Sequence, residues 1–233
     1  MMSGGEAEAE ADATIPRVAR PVPLRQSVYD ALLDLIVNRT MRPGAHLVES
    51  ELAAHLGVSR QPVREALQRL NTEGWVELRP GHGAYVHVPT EQEADQLLAV
   101  RSLLETEAAR LAAAHASREG VGRLRTLRRR GVEALEDDDV DAMVALNAEL
   151  HAAITKLSGN APLVELTAQV DRRVRWYYAP VARGRGRRSW DEHARIIDAI
   201  ASGDADEAAS LMRAHTETTR ETYRRMREEG SEA

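Results

Sequence analysis

Cysteine is absent from all 233 residues. Without a thiol the chain can have no disulfide framework, zinc ribbon, thiol nucleophile or redox switch. Phenylalanine is absent too, and aromatic residues make up only 3% of the chain. Its cores must therefore come from Leu, Ala, Val and Ile, which favours helix over sheet. No run approaches the roughly 18 apolar residues of a membrane span. The opening segment MMSGGEAEAEADATIPRVAR lacks the basic start and the apolar stretch of roughly 7–15 residues that mark a signal peptide. It reads as a disordered arm over residues 1–20, and the chain as cytoplasmic. Positive charge is in short supply: 31 Lys and Arg stand against 37 Asp and Glu, a formal net charge of -6. Any nucleic-acid binding must then come from a local basic surface, because the field of the whole molecule repels phosphate.

What is present is amphipathic periodicity, in a chain long enough for two cores at roughly 100–150 residues per domain. Leu24, Val28, Ala31, Leu32, Leu35 and Ile36 recur at helical spacing until Arg42-Pro43-Gly44 breaks the run. A short second helix over residues 50–56 stops at Gly57. Ser59 as N-cap candidate and Pro62 in the first turn open a third helix, whose apolar stripe is Val63, Ala66, Leu67 and Leu70 and which Gly74 closes. Residues 75–78 and 84–88 alternate in strand fashion about the turn Arg79-Pro80-Gly81-His82-Gly83. Three helices followed by a two-stranded ribbon make a winged helix-turn-helix over residues 21–89, an arrangement that places its third helix in the major groove of DNA. Arg60, Gln61 and Arg64 on that helix suit base edges, Arg for guanine and Gln for adenine. The competing reading makes them the solvated face of an ordinary helix.

The run Val58-Ser59-Arg60-Gln61-Pro62-Val63-Arg64-Glu65-Ala66-Leu67-Gln68-Arg69-Leu70, with Glu73-Gly74-Trp75-Val76 and the Gly81-x-Gly83 wing, closely resembles the DNA-binding domain of the GntR family of bacterial transcriptional regulators. The resemblance covers roughly residues 24–88. It implies that Ser59, Arg60, Gln61 and Arg64 contact double-stranded operator DNA, with Gly81 and His82 at the wing.

Beyond Thr90 the pattern is helical, with breaks near residues 116–120, 136–139, 158–160, 180–188 and 202–204. These make an antiparallel bundle of six helices over residues 90–229, large enough to enclose a cavity. The expected fold class is mainly α, a winged helix-turn-helix followed by an all-α bundle. Asn147 and His151, four apart, share a helix face with Met143, Leu146, Leu150 and Ile154. His193 lies on the stripe of Trp190, Ile196, Ile197 and Ile200, and His215 on that of Ala208, Leu211, Met212 and Thr219. Three inward histidines and a carboxamide could converge on one divalent transition metal, zinc or nickel, since imidazole suits those ions. Taken singly, a histidine on an apolar face is more often a hydrogen-bonded core residue than a ligand. Arg101, on the otherwise apolar face of Leu97, Leu104, Ala108 and Leu111, needs an anionic partner. That partner is either Glu105 or another acid of the chain, or a carboxylate effector held bidentately. Arg172, Arg173 and Arg175 are candidate cavity charges. Arg183, Arg185, Arg187 and Arg188 read as a solvated loop, residues 136–139 as a helix N-terminal cap region, and Glu149 and Glu192 as pointing off the inward face.

Arg101 with Glu105, Asn147-x-x-x-His151, Ser158-Gly159-Asn160, Glu192-His193 and Ala208 with His215 together resemble the FCD effector domain of the FadR subfamily, over roughly residues 91–227. The helix count suits its shorter, VanR-like branch. The resemblance implies that Asn147, His151, His193 and His215 hold a metal, that the metal helps hold a small carboxylate effector, and that Arg101 receives that carboxylate. The expected function is a homodimeric, ligand-responsive regulator of transcription, a repressor relieved by its metabolite, with a hinge near Pro89-Thr90-Glu91. No catalytic residues are expected. Two other readings stay open: a metal-free dimerisation module, and a metal-dependent hydrolase in which an open coordination position activates water.

Overall fold

The computed structural model describes residues 23–231, without the side chains of 177–180, 182–183 and 227–231. The arm expected at residues 1–20 lies outside the described residues, as do Pro21, Val22 and the Arg183 side chain. The head begins with α1 (Leu24–Val37), whose Val28, Leu32 and Ile36 are buried one turn apart. It continues through β1 (His46–Leu47), α2 (Glu49–Leu56), α3 (Arg60–Thr72), β2 (Val76–Arg79) and β3 (Gly83–Val86). Gly57 takes φ 66° and ends α2, the left-handed stop that glycine allows without cost. The α3 stripe of Val63, Ala66, Leu67 and Leu70 closes on α1, with Trp75 completing the core.

The ribbon expected to have two strands has three, in the order β1-β3-β2, all antiparallel. β1 is two residues long, too short for an alternation to register in sequence; its pairing with Tyr85 and Ala84 creates it. At the wing tip, the His82 N–H donates to the Arg79 carbonyl at 2.9 Å with Gly81 at φ 74°. Proline at the second and glycine at the third position suit a type II turn.

α4 (Glu91–His115) starts at a capping box, Thr90 Oγ1 accepting from the Glu93 N–H while the Glu93 carboxylate accepts from the Thr90 N–H. α5 (Arg118–Glu136) and α6 (Val140–Leu157) follow, Asp139 capping α6 by accepting from the Ala142 N–H at 2.9 Å. α7 (Ala161–Ser202) runs through the break expected at 180–188 and bends at Gly186, so the bundle has six helical segments although two of them are continuous. α8 (Ala205–Ser231) completes it. α7 is central, packing against α4, α5, α6 and α8. No helix among the described residues is long and apolar enough to cross a membrane.

The head rests on the first half of α7. The Arg39 Nε and Nη2 donate to the Trp176 carbonyl at 3.1 and 2.8 Å. Trp176 packs against Trp75 with ring centroids 5.6 Å apart. Arg173 lies over the Trp75 ring and donates to the Glu73 carbonyl, capping the C-terminal end of α3. Arg173, a candidate cavity charge in sequence, thus belongs to the contact between head and bundle.

Candidate functional site

Two regions hold the predicted site residues. On the head, α3 presents Arg60, Gln61 and Arg64 to solvent. Arg64 donates from Nε and Nη2 to the Glu49 carboxylate at 3.0 and 2.9 Å, and Arg60 Nη2 lies 3.7 Å from the same group. The Arg64 hydrogen bond holds Glu49 below the usual carboxylate range and sets the fork at the N-terminal end of the helix. Gln61 donates to Glu65 at 2.9 Å. Ser59 stands at the N-cap but makes no side-chain capping bond. An open groove of about 470 Å³ runs from Glu49 and Arg60 to Arg79 and Gly81 on the wing. His82 at the tip is held to the Pro80 carbonyl at 3.0 Å. Gly83 must stay bare, because a Cβ there would lie 2.8 Å from His46 Nε2 and its φ is 92°.

In the bundle the three predicted histidines converge. His151 comes from α6, His193 from α7 and His215 from α8, each at most 2% exposed. His193 Nε2 lies 3.2 Å from His151 Nε2 and 3.2 Å from His215 Nε2, and one ligand atom from each ring fits within 4.8 Å of the others. Asn147 is one turn before His151; its carbonyl oxygen is buried without a hydrogen-bond partner.

Two carboxylates orient the outer rings. Glu105 Oε2 sits 2.9 Å from His151 Nδ1, and Glu192 Oε2 sits 2.8 Å from His215 Nδ1. Burial alone would raise Glu105, but the charge of Arg101 and the hydrogen bond from His151 hold it at about 2. Glu192 is likewise held at about 2, its burial outweighed by hydrogen bonds from His215 and Arg185. Burial lowers all three histidines, His215 to about 4 against the support of Glu192. Neutral rings whose Nδ1–H is given to a carboxylate must turn a lone pair outward at Nε2. His151 and His215 both do so towards His193 Nε2, which can donate to only one of them. His193 Nδ1 is buried without a partner.

That donor set fits a divalent cation. Nitrogens of three neutral imidazoles lie within 4.8 Å of one another, and the 3.2 Å from His193 Nε2 to each of the other two is close to the about 3.3 Å between nitrogens that each lie about 2.05 Å from a tetrahedral zinc. Nδ1-to-carboxylate support is the usual partner of a metal-bound histidine.

Behind each carboxylate stands an arginine. Arg101 Nε donates to Glu105 Oε1 at 2.9 Å, with Asp171 Oδ1 at 3.9 Å. Asp171 is raised to about 7, first by burial and then by the charge of Glu105. Arg185 donates to Glu192 and reaches His215 Nδ1 at 3.2 Å. Two sequence readings are corrected here. Arg185 is buried on a helix rather than part of a solvated loop, and Glu192 is buried rather than turned away from the histidines. Both follow from the central place of α7, which buries more than one flank, so a residue about 100° from the His193 stripe can still face α8. Arg187 and Arg188 are exposed as expected. Glu105 and Glu192 are the carboxylates beside the histidines that sequence reasoning did not assign to the cluster; the i, i+4 spacing of Arg101 and Glu105 was the available signal.

Residues 24–86 match the family described as "Bacterial regulatory proteins, gntR family", and residues 96–218 match the FCD domain. The chain is 33% identical over 184 residues to the Nta operon transcriptional regulator of Aminobacter aminovorans, covering 78% of this chain and 85% of that protein. It is 27% identical over 224 residues to the HTH-type transcriptional repressor RspR of Escherichia coli K12, covering 90% of this chain and 93% of that one. Its fold is similar to a solved putative regulator from Rhodococcus sp. RHA1 at TM-score 0.73 and 25% identity, over 85% of this chain and 96% of that one. It is also similar in fold to Escherichia coli McbR/YncC at TM-score 0.76, over 88% and 99%.

Proposed function

This chain belongs to the GntR family of bacterial regulatory proteins and carries an FCD domain, and on that premise we propose that it represses its operator as a homodimer until a small carboxylate binds in the bundle. Its relatives regulate transcription and are not enzymes, which sets aside the hydrolase reading. The observation that carries the proposal is the meeting of His151, His193 and His215 around one point, with two carboxylate supports.

Ser59, Arg60, Gln61 and Arg64 would read the operator's major groove, with Gly81 and His82 at the backbone beside it. Glu49 pre-orients Arg64, so little side-chain freedom is lost on binding. A second copy would cover Val100 and Leu103, exposed apolar residues on α4. His151, His193 and His215, with Asn147 as a fourth donor, would hold zinc or nickel, which supplies Lewis-acid chemistry to a bound oxygen ligand. Arg101 would receive the effector carboxylate. One of the two carboxyls beside it, Asp171, has its midpoint near 7 and can yield its place to a stronger anion. Asp171 precedes Arg172 and Arg173 on α7, where the head is seated, so an effector that prefers one seating shifts operator affinity and operator shifts effector affinity equally.

The test is binding of a duplex from the chain's own upstream promoter. Salt-dependent, sequence-selective binding is expected, weakened about 10-fold or more by Arg64→Ala and weakened again by a carboxylate. Non-selective binding would remove the reading, and a metal content near zero in protein purified without chelator would remove the metal from it.

A further inference from the structure

α7 bends where it meets the histidine centre. Gly186 adopts φ 39° and ψ -135° inside the helix, a conformation open to glycine and strained for other residues. The bend directly follows Arg185, which is 4% exposed. On its inner side this guanidinium bonds Glu192 and approaches the Nδ1 edge of His215. Its outer side lines a solvent-open pocket of about 240 Å³, together with Arg188, Thr218, Thr222 and Arg225. The Arg185 Nε–H is buried and has no hydrogen-bond partner, a costly state for a charged donor. Three guanidiniums line or border this pocket. Among the described residues, Glu192 pairs with Arg185, with Arg188 at 3.4 Å and with His215. The threonine hydroxyls donate to their own helix, Thr218 to the Ala214 carbonyl and Thr222 to the Thr218 carbonyl.

We propose that this pocket is an anion subsite for a compact carboxylate, gripped by Arg185, Arg188 and Arg225 on the edge of His215 opposite to the histidine cluster. It rests on the reading of the bundle as carboxylate-responsive, and adds to it a site separate from Arg101. A volume of 240 Å³ is below the about 300–1,000 Å³ of pockets for larger ligands, so the occupant has a handful of heavy atoms. The planar fork of arginine matches a carboxylate bidentately. An anion here draws Arg185 away from Glu192. Glu192 then accepts more strongly from the His215 Nδ1–H, which makes His215 a better donor at Nε2. Anion and metal should therefore bind with positive, reciprocal coupling.

The experiment is calorimetric titration of the full chain with malonate, succinate and inorganic phosphate at constant ionic strength, with and without zinc, alongside operator binding. We expect malonate or succinate to bind, phosphate to bind at least fivefold more weakly, and zinc to tighten the carboxylate about threefold or more. Arg188→Gln and Arg225→Gln, both at exposed positions, should each weaken the carboxylate at least fivefold without changing the unfolding temperature. Carboxylate binding that survives the double variant overturns this pocket while leaving the carboxylate-responsive reading intact. Phosphate binding equal to malonate overturns the carboxylate assignment. If no carboxylate binds or alters operator affinity, the broader reading falls as well.

Discussion

The His151 and His215 sides of the centre are built alike: an arginine, a glutamate, and the Nδ1 of an imidazole whose Nε2 faces His193. They differ in what lies behind the arginine. Arg101 is sealed in the bundle beside Glu105 and Asp171. Arg185 backs onto a pocket open to solvent, lined among the described residues by Arg188 and Arg225 as well. On the closed side, burial first and the Glu105 charge second raise Asp171, and that strain is eased by keeping a proton. The guanidiniums on the open side have no proton to give up, because arginine stays charged, so they are eased by water or by an anion.

The contrast is easiest to break at the glutamates. Glu105→Gln removes the main counter-charge of a fully buried arginine and should destabilise metal-free protein by about 3 kcal/mol, Asp171 compensating in part. Glu192→Gln should cost about half as much, since Glu192 is 10% exposed where Glu105 is 1%. Equal losses in urea unfolding would mean that the two sides do not differ in closure.

Asp171→Asn sharpens the comparison through pH. The folded carboxyl titrates near 7 and the unfolded one near 3.8, so the folded state binds the proton more tightly. The stability this gives is fully present below about pH 3.8 and is lost as pH rises through 7. Between pH 5 and pH 8 the wild type should therefore lose about 3 kcal/mol relative to Asp171→Asn, measured by denaturant titration at each pH. A constant gap would show that Asp171 is already ionised.

Gly131→Ala tests the support the two sides share. A Cβ on Gly131 would lie 2.1 Å from Trp190 Cη2, and Trp190 meets His193 edge-on at 5.0 Å between ring centroids. Overpacking should cost about 1–2 kcal/mol and lower metal content along with the thermal midpoint. Unchanged metal content would separate Trp190 from the placement of His193. The smallest effect is expected at Arg188→Gln, below about 0.5 kcal/mol in stability, because that side chain is 77% exposed.

Legibility differed between the head and the bundle. The helices and glycine stops of the head, and the exposure of Arg60, Gln61 and Arg64, follow from local periodicity, so they could be read in order along the chain. The histidines could be read too, because His151, His193 and His215 each continue an apolar stripe. Their supports could not. Glu192 is one residue from His193, Arg185 stands between two glycines in a segment that reads as a loop, and β1 is two residues created by a partner strand.

The sequence by itself determined two units, a helix-turn-helix with an arginine-bearing third helix and a helical bundle with three inward histidines, because short-range spacing dictates which face of each helix is apolar. The tertiary structure alone decided that Glu105 and Glu192 meet two of those histidines, that Arg185 is buried, and that α7 carries both the histidine centre and the seat of the head. The reason is that α7 is enclosed by four other helices. A helix surrounded on several sides has no single inward stripe, and only its neighbours determine which of its polar residues face one another.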